Sequence, residues 1–403
     1  MFERSLLREI EELALSRGKM AFISGPRQSG KTTLAKMLIK GETGVYYNWD
    51  ELEFRRRWTK SPLETVSQLK RNSIVIFDEI HKASKWKQNL KGLYDTLGDS
   101  IQIIVTGSAR LDLYKKGSDS LMGRYLGFRL HPFSLGELEN KKLPLPEDFS
   151  DQMMNIKNIK PRSKTWDRLE SFGGFPEPLF SESSRILKIW QKGRIDKIVR
   201  EDLRDLSRIP ELSKIEMMIA LLPERVSSPV SLNSLREDLE VSYDTARRWI
   251  NYLKQLYYCY EIKPWSNRVI GSLKKQGKLY LWDWSEVINL GARFENMVAS
   301  HLLKACHYWT DTGYGVFELH TLKTKSGEEI DFLVTWDKKP WLAVECKLNQ
   351  KSLSPHFFSN AFKNLSVTHN IQLVRKSGVN EIKENKGKTV QIISADRFFL
   401  LLP

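Results

Sequence analysis

Short apolar runs alternate with longer polar stretches of helical spacing through the first third of the chain. Met20 to Ser24, Val45 to Tyr47, Ile74 to Phe77 and Ile101 to Val105 each read as a short strand with a buried face, bounded by polar turns. Between them, Thr32 to Ile39, Pro62 to Lys70 and Lys85 to Leu97 space their apolar residues as helices do. Strand and helix in alternation predict an α/β fold, a parallel sheet with helices on both faces. Arg55-Arg56-Arg57-Trp58 reads as a solvated helix face more than as a nucleic-acid groove.

The pattern changes near Asn140. Lys141 to Lys164 is polar, holds three prolines and has no clear period, so it is expected to be a linker or an inserted loop. Trp166 to about Glu224 is mostly helical, interrupted by a rigid turn at Gly173 to Pro178. Leu232, Leu235 and Leu239 then form one apolar stripe, and Ala246, Trp249, Ile250 and Leu253 a second. Ser242 is placed to cap the second helix. Two helices, a tight turn and the strand-like Tyr257 to Ile262 predict a winged helix-turn-helix. Tyr243, Thr245, Arg247, Arg248 and Lys254 are its candidate contacts to phosphates or bases. The competing reading is a module for protein contacts or internal packing.

Composition narrows the class. The 403 residues exceed one ordinary core, and 41% hydrophobic with 28% charged residues is the balance of a folded, soluble chain. No apolar run reaches the roughly 20 residues of a membrane span. The opening Met1-Phe2-Glu3-Arg4 has no apolar segment of a secretory leader, so a cytoplasmic protein without membrane contact is expected. Three cysteines without metal-type spacing argue against a disulfide framework or structural zinc. A net charge of +15 and a pI near 9.5 point to a polyanionic partner, most often nucleic acid, here taken as DNA.

The first chemical motif is Gly25-Pro26-Arg27-Gln28-Ser29-Gly30-Lys31-Thr32, which fits G-x-x-x-x-G-K-[ST] at every fixed position. Glycines let the backbone wrap a phosphate, with loop N–H groups and the N-terminus of the next helix, Thr32 and Thr33, facing the anion. Lys31 is expected to reach the β- and γ-phosphates of ATP, and the Thr32 hydroxyl to ligate Mg²⁺. Ile74 to Phe77 ends in Asp78-Glu79. Asp78 is the candidate for the Mg²⁺ shell and Glu79 for orienting or deprotonating the attacking water. Ile101 to Val105 is followed by Thr106-Gly107-Ser108, where a polar side chain could touch the γ-phosphate; the alternative is a capped strand end.

GPRQSGKT, IFDEIHK, TGSAR, LMGRY and HPFSLGEL, in this order, resemble AAA-type ATPases fused to a C-terminal region of unknown function, the 4143 group of bacteria and archaea. The resemblance spans nearly the whole chain. It implies Thr106 or Ser108 as a sensor and Arg124 as a candidate arginine finger. Such fingers often act across a subunit interface, which would make the protein a homo-oligomer.

The last portion carries a second constellation. Tyr314 to Leu322, Glu329 to Trp336 and Trp341 to Lys347 read as strands, the last two joined by the turn at Asp337 to Pro340. Alternation places Glu345 and Lys347 on one face, and a hairpin would bring Asp331 to Glu345. Glu295 lies on an amphipathic helix upstream. The order Glu295, Asp331, Glu345-x-Lys347 resembles the PD-(D/E)xK nuclease superfamily, although no proline precedes Asp331. That resemblance implies Mg²⁺ or Mn²⁺ on Glu295, Asp331 and Glu345, with Lys347 positioning the water. The alternative is an ordinary sheet with a surface Glu345–Lys347 ion pair.

The expected organisation is an AAA-type ATPase core at 1–140, a linker and helical lid at 141–225, a winged helix-turn-helix at 226–278 and a restriction endonuclease-like α/β domain at 279–403. The leading function is an ATPase coupled to DNA binding and Mg²⁺-dependent cleavage. The alternative is a nucleotide-operated switch whose nuclease-like domain is inactive and binds a partner. A single P-loop argues against a monomeric translocase.

Overall fold

In the computed structural model the first strands lie side by side in one parallel sheet. The structure describes residues 2–39, 44–98, 100–107, 121–139, 143–203, 211–265, 276–323, 328–349, 353–358, 365–385 and 387–403. The chain divides into two compact units, Met1–Pro132 and Phe133–Pro403.

In the first unit, β1 (Met20–Ser24), β2 (Gly44–Asn48), β3 (Ser73–Asp78), β4 (Ile101–Thr106) and β5 (Tyr125–Arg129) are arranged in the order β2-β3-β4-β1-β5. Every pairing is parallel. Four of these strands follow the apolar runs of the sequence. β5 does not, because it is an edge strand and only Phe128 among its residues is fully buried. Phe22, Phe54, Trp58, Phe77 and Val105 belong to one core cluster. The helix Leu52–Lys60 sends Phe54 and Trp58, four residues apart, into that core and leaves Arg55, Arg56 and Arg57 exposed. Parallel strands place all their C-terminal ends on one edge. α1 (Lys31–Met37) leaves β1 there, and α2 (Trp86–Leu97) precedes β4. β4 lies between β1 and β3, so the residues ending these three strands are neighbours.

In the second unit, the stretch expected as a linker contains the helix Phe149–Met154. Phe149 is fully buried, its ring 4.8 Å from that of Trp341. The segment was hidden because so short a helix, with Phe149 and Met153 as its buried side chains, offers too few apolar positions to show a period. Farther on, α3 (Ser184–Lys197) begins at Ser183, whose side chain accepts from the Ile186 N–H.

α4 (Leu232–Asp238) and α5 (Tyr243–Gln255) form the two-helix element, with Ser242 Oγ accepting from the Thr245 N–H at 3.1 Å. The antiparallel pair β6 (Cys259–Ile262) and β7 (Lys278–Leu281) follows. α6 (Leu290–Asp311) then packs against a six-stranded sheet of order β12-β13-β11-β10-β9-β8. Its strands are β8 (Phe317–Lys323), β9 (Glu329–Trp336), β10 (Lys339–Lys347), β11 (His369–Val374), β12 (Asn380–Asn385) and β13 (Lys388–Ser394). β8, β9 and β10 form an antiparallel meander, and β10, β11 and β13 are parallel. Among the described residues, no helix is long and apolar enough to cross a membrane.

Candidate functional site

The loop between β1 and α1 is shaped by its glycines. Gly25 has φ +150°, and a side chain there would collide with the Leu130 carbonyl oxygen, so no other residue fits without moving the backbone. Gly30 takes the left-handed conformation (φ +97°) immediately before α1. Lys31 is buried, and its Nζ donates to the carbonyl oxygens of Gly25 at 3.0 Å and Pro26 at 2.7 Å. Its ammonium thus lies inside the concave loop. Arg4 braces the loop from outside, donating to the Ser29 carbonyl at 3.2 Å and to that of His131.

Asp78, at the end of β3, gathers the neighbouring strands. Thr32 Oγ1 donates to its Oδ2 at 2.8 Å, Tyr46 O–H to the same oxygen at 2.7 Å, and Thr106 Oγ1 to Oδ1 at 2.6 Å. Burial, and then the Asp78 carboxylate, hold the Tyr46 phenol well above its usual range, so Tyr46 stays a donor. Glu79 follows in the left-handed region (φ 56°), which turns its side chain off the strand line. Burial pushes the Glu79 carboxyl up, and the Lys31 ammonium pulls it back. Its Oε2 is buried without a hydrogen-bond partner, with His81 Nε2 at 3.4 Å and Lys82 Nζ at 3.9 Å. Ser29 Oγ, inside the loop, is likewise buried and unpartnered. Two orphaned polar atoms beside a buried ammonium and a hydroxyl–carboxylate pair fit a triphosphate with its Mg²⁺ and a water.

The second constellation lies where α6, β7, β9 and β10 converge. The register Phe332↔Val344 makes Asp331 and Glu345 the next residues on their strands, and Asp331 Oδ2 accepts from the Cys346 N–H at 2.8 Å. Lys347 Nζ is 2.8 Å from Glu345 Oε1, which also accepts from Ser354 Oγ at 3.2 Å. Glu345 Oε2 is buried without a hydrogen-bond partner. Lys278, from β7, enters the cluster: its Nζ lies 3.1 Å from Glu295 Oε1 and 3.6 Å from Asp331 Oδ1, and it pairs more closely still with Glu329. Tyr280 O–H donates to Glu295 Oε1 at 2.8 Å. Burial, with the charges of Glu295 and Glu345, raises the Asp331 carboxyl well above its usual range, and Lys278 opposes that. Among the described residues, no three His, Cys, Asp or Glu side chains are arranged to hold a metal ion.

Residues 17–139 match the family model described as an AAA domain. This part of the chain is an AAA domain. Residues 163–292 match a domain of unknown function, DUF8612, and residues 290–396 another, DUF4143. Two curated relatives, uncharacterized proteins of Mycobacterium bovis and Mycobacterium tuberculosis, are each 25% identical over 271 residues, 67% of this chain and 55% of theirs. The matched region thus spans about half the length of those relatives. Among solved structures, the Walker-type ATPase of Pyrococcus abyssi is similar with a TM-score of 0.43 at 16% identity, covering 71% of this chain and 95% of that one. The Orc1 protein of Aeropyrum pernix, solved with DNA, has a TM-score of 0.34 at 12% identity, covering 73% and 92%.

Within the AAA domain, the structure brings Lys31, Thr32, Asp78, Glu79 and Thr106 to one sheet edge. Pro26 and Ser29 are buried in the loop, Gln28 is exposed with φ 61°, and Thr33 faces outward from α1. Ser108 lies outside the described residues. Arg124 is not part of this group. It precedes β5, whose Tyr125 aligns with Met20 at the opposite end of β1 from the loop, and it makes a two-pronged pair with Asp95 at 2.7 and 3.2 Å. In the two-helix element, Arg247 and Arg248 are exposed, Thr245 is half-buried, and Lys254 is engaged with Glu261 at 2.6 Å. Sequence reasoning missed Arg4, Tyr46 and Lys278. Tyr46 had a readable signal, a tyrosine on the strand beside the one ending in Asp78.

Proposed function

We propose that this chain binds and hydrolyses ATP, and that the nucleotide state governs how its second unit engages DNA. The observation that supports hydrolysis is the Asp78 carboxylate held from both sides by Thr32 and Thr106, with Glu79 beside it keeping a buried oxygen, Oε2, free of any hydrogen bond. Bound Mg²⁺ would draw off the charge that builds on the phosphate oxygens. Thr32 and Asp78 are the residues to hold it. Lys31 exchanges the Gly25 and Pro26 carbonyls for phosphate oxygens, a stronger, charge-assisted partnership. Glu79 Oε2 orients the attacking water and accepts its proton, and burial, which raises its basicity, suits it to that task. Thr106 reports the state of Asp78 to β4. Arg124, at the far edge of the sheet, contributes only to the site of another copy, so a role for it requires a homo-oligomer. The test is ATP turnover by wild type and Lys31→Ala; equal rates would remove the proposal.

For the second unit, α4, α5, β6 and β7 support a winged helix-turn-helix at 226–278, with Tyr243, Arg247 and Arg248 as contacts on the exposed face of α5. The excess of 15 positive charges favours a polyanion as partner. Anisotropy of labelled duplex DNA with and without ATP tests this; no binding at low salt would rule it out. The α6 and β8–β11 arrangement supports a nuclease-like domain at 279–403. Of its two uses, cleavage or partner binding by an inactive domain, the ammonium of Lys278 among the carboxylates favours the second. Mg²⁺- or Mn²⁺-dependent cutting of labelled DNA, lost in Lys347→Ala, would reverse that preference.

A further inference from the structure

Two of the three residues that a PD-(D/E)xK site would offer to a divalent cation, Glu295 and Asp331, already share a cation. Lys278 Nζ lies within ion-pair distance of Glu295, Glu329 and Asp331, carboxylates contributed by α6 and β9. The lysine is nearly buried, so these partners are not traded for water at little cost. Its backbone is fixed on both sides: β7 pairs with β6 at Ile262↔Lys278, and Pro229 bridges to Lys278 from the other side. Tyr280, two residues on and therefore on the same face of β7, reaches the same Glu295 Oε1. One strand thus supplies two donors to one carboxylate. Lys323 adds a second ammonium, 3.2 Å from Glu329 Oε2. On the other side of Asp331, Glu345 keeps one oxygen unpartnered and bonds Lys347 through the other. A divalent ion entering this cluster would meet a fixed ammonium on two of its three expected ligands, Glu295 and Asp331.

We infer that Lys278 is the resident cation of this cluster, filling the place a divalent metal would take and tying the β6–β7 pair to α6 and the six-stranded sheet. The cluster is then a structural joint between DNA-facing and nuclease-like parts, not a hydrolytic centre. This rests on the nuclease-like reading proposed above.

The test is Mn²⁺ binding to the full chain without nucleotide, read from the free-ion paramagnetic resonance signal. Wild type, Asp331→Asn, Lys278→Met and Lys278→Met with Asp331→Asn are compared. The expected result is no Asp331-dependent Mn²⁺ on wild type, and one Mn²⁺ gained by Lys278→Met and lost again in the double variant. Wild type that binds one Mn²⁺, lost in Asp331→Asn, would overturn the inference while keeping the nuclease-like reading. If neither wild type nor the folded Lys278→Met binds, the inference fails and the nuclease-like reading fails with it. Should Lys278→Met not fold, Lys278→Gln removes the charge, keeps a donor and is read the same way.

Discussion

Thr32 and Asp78 are 46 residues apart in the chain and meet in a 2.8 Å hydrogen bond from hydroxyl to carboxylate. One lies in the first turn of the helix after the glycine loop and the other ends a strand two places away in the sheet, so the contact exists only because β4 separates β1 from β3 at the right width. Replacing Lys31 by Ala removes the ammonium inside the loop, and nucleotide binding is expected to be abolished, read by titration with a fluorescent ATP analogue.

Gly25→Ala tests the loop without touching a charge. The substitution forces a side chain against the Leu130 carbonyl at φ +150°, so the loop must distort. Strain of about 1–3 kcal/mol in unfolding free energy is expected, together with loss of ATP binding. Urea denaturation and the same titration measure both.

Tyr46→Phe removes one of the three donors on Asp78. A hydrogen bond to a buried carboxylate contributes about 1–3 kcal/mol, so Asp78 loosens. ATP turnover is expected to need more Mg²⁺ for half-saturation, with the fold intact. An unchanged Mg²⁺ dependence would mean that Tyr46 is only a packing residue.

His301 predicts a pH dependence of stability. Its ring is fully buried, stacked 4.2 Å from Phe399, with Nδ1 donating to the Met297 carbonyl and Nε2 accepting from the Leu135 N–H. Burial lowers its pKa from 6.5 to about 3. The unfolded chain therefore binds the extra proton first. Stability from the neutral ring is fully present above about pH 6.5 and falls by up to about 1.4 kcal/mol per pH unit as pH drops toward 3. Thermal unfolding at pH 7 and pH 5 should show a larger loss in wild type than in His301→Gln.

Arg247 and Arg248 are the exposed cations of α5. If both meet phosphates, replacing them by Ala weakens DNA binding and reduces the slope of log affinity against log salt by roughly 2. A lower affinity with an unchanged slope would place the contacts elsewhere.

The sequence made the AAA domain readable because its chemistry is local: a loop of eight residues, two carboxylates in a row and a polar strand end. Their meeting point followed from parallel topology. Lys278 was not readable. It is a single lysine before Leu-Tyr-Leu, at the boundary drawn between two expected domains, and its partners Glu295, Glu329 and Asp331 come from later elements brought close only by tertiary packing. The Phe149 helix was hidden for a similar reason, since its anchor partners Trp341 and Phe398 lie some two hundred residues away. Arg124, which the resemblance implies as a finger of the kind that often acts across a subunit interface, lies at the edge of the sheet away from its own loop because β5 runs parallel to β1.

Glu79 is proposed to activate water at an ATP site built by Lys31, Thr32 and Asp78. ATP binding and turnover by Glu79→Gln, measured beside wild type, test it most directly. Binding should be kept while turnover falls by about 100-fold or more. Turnover at the wild-type rate would remove Glu79 from that role.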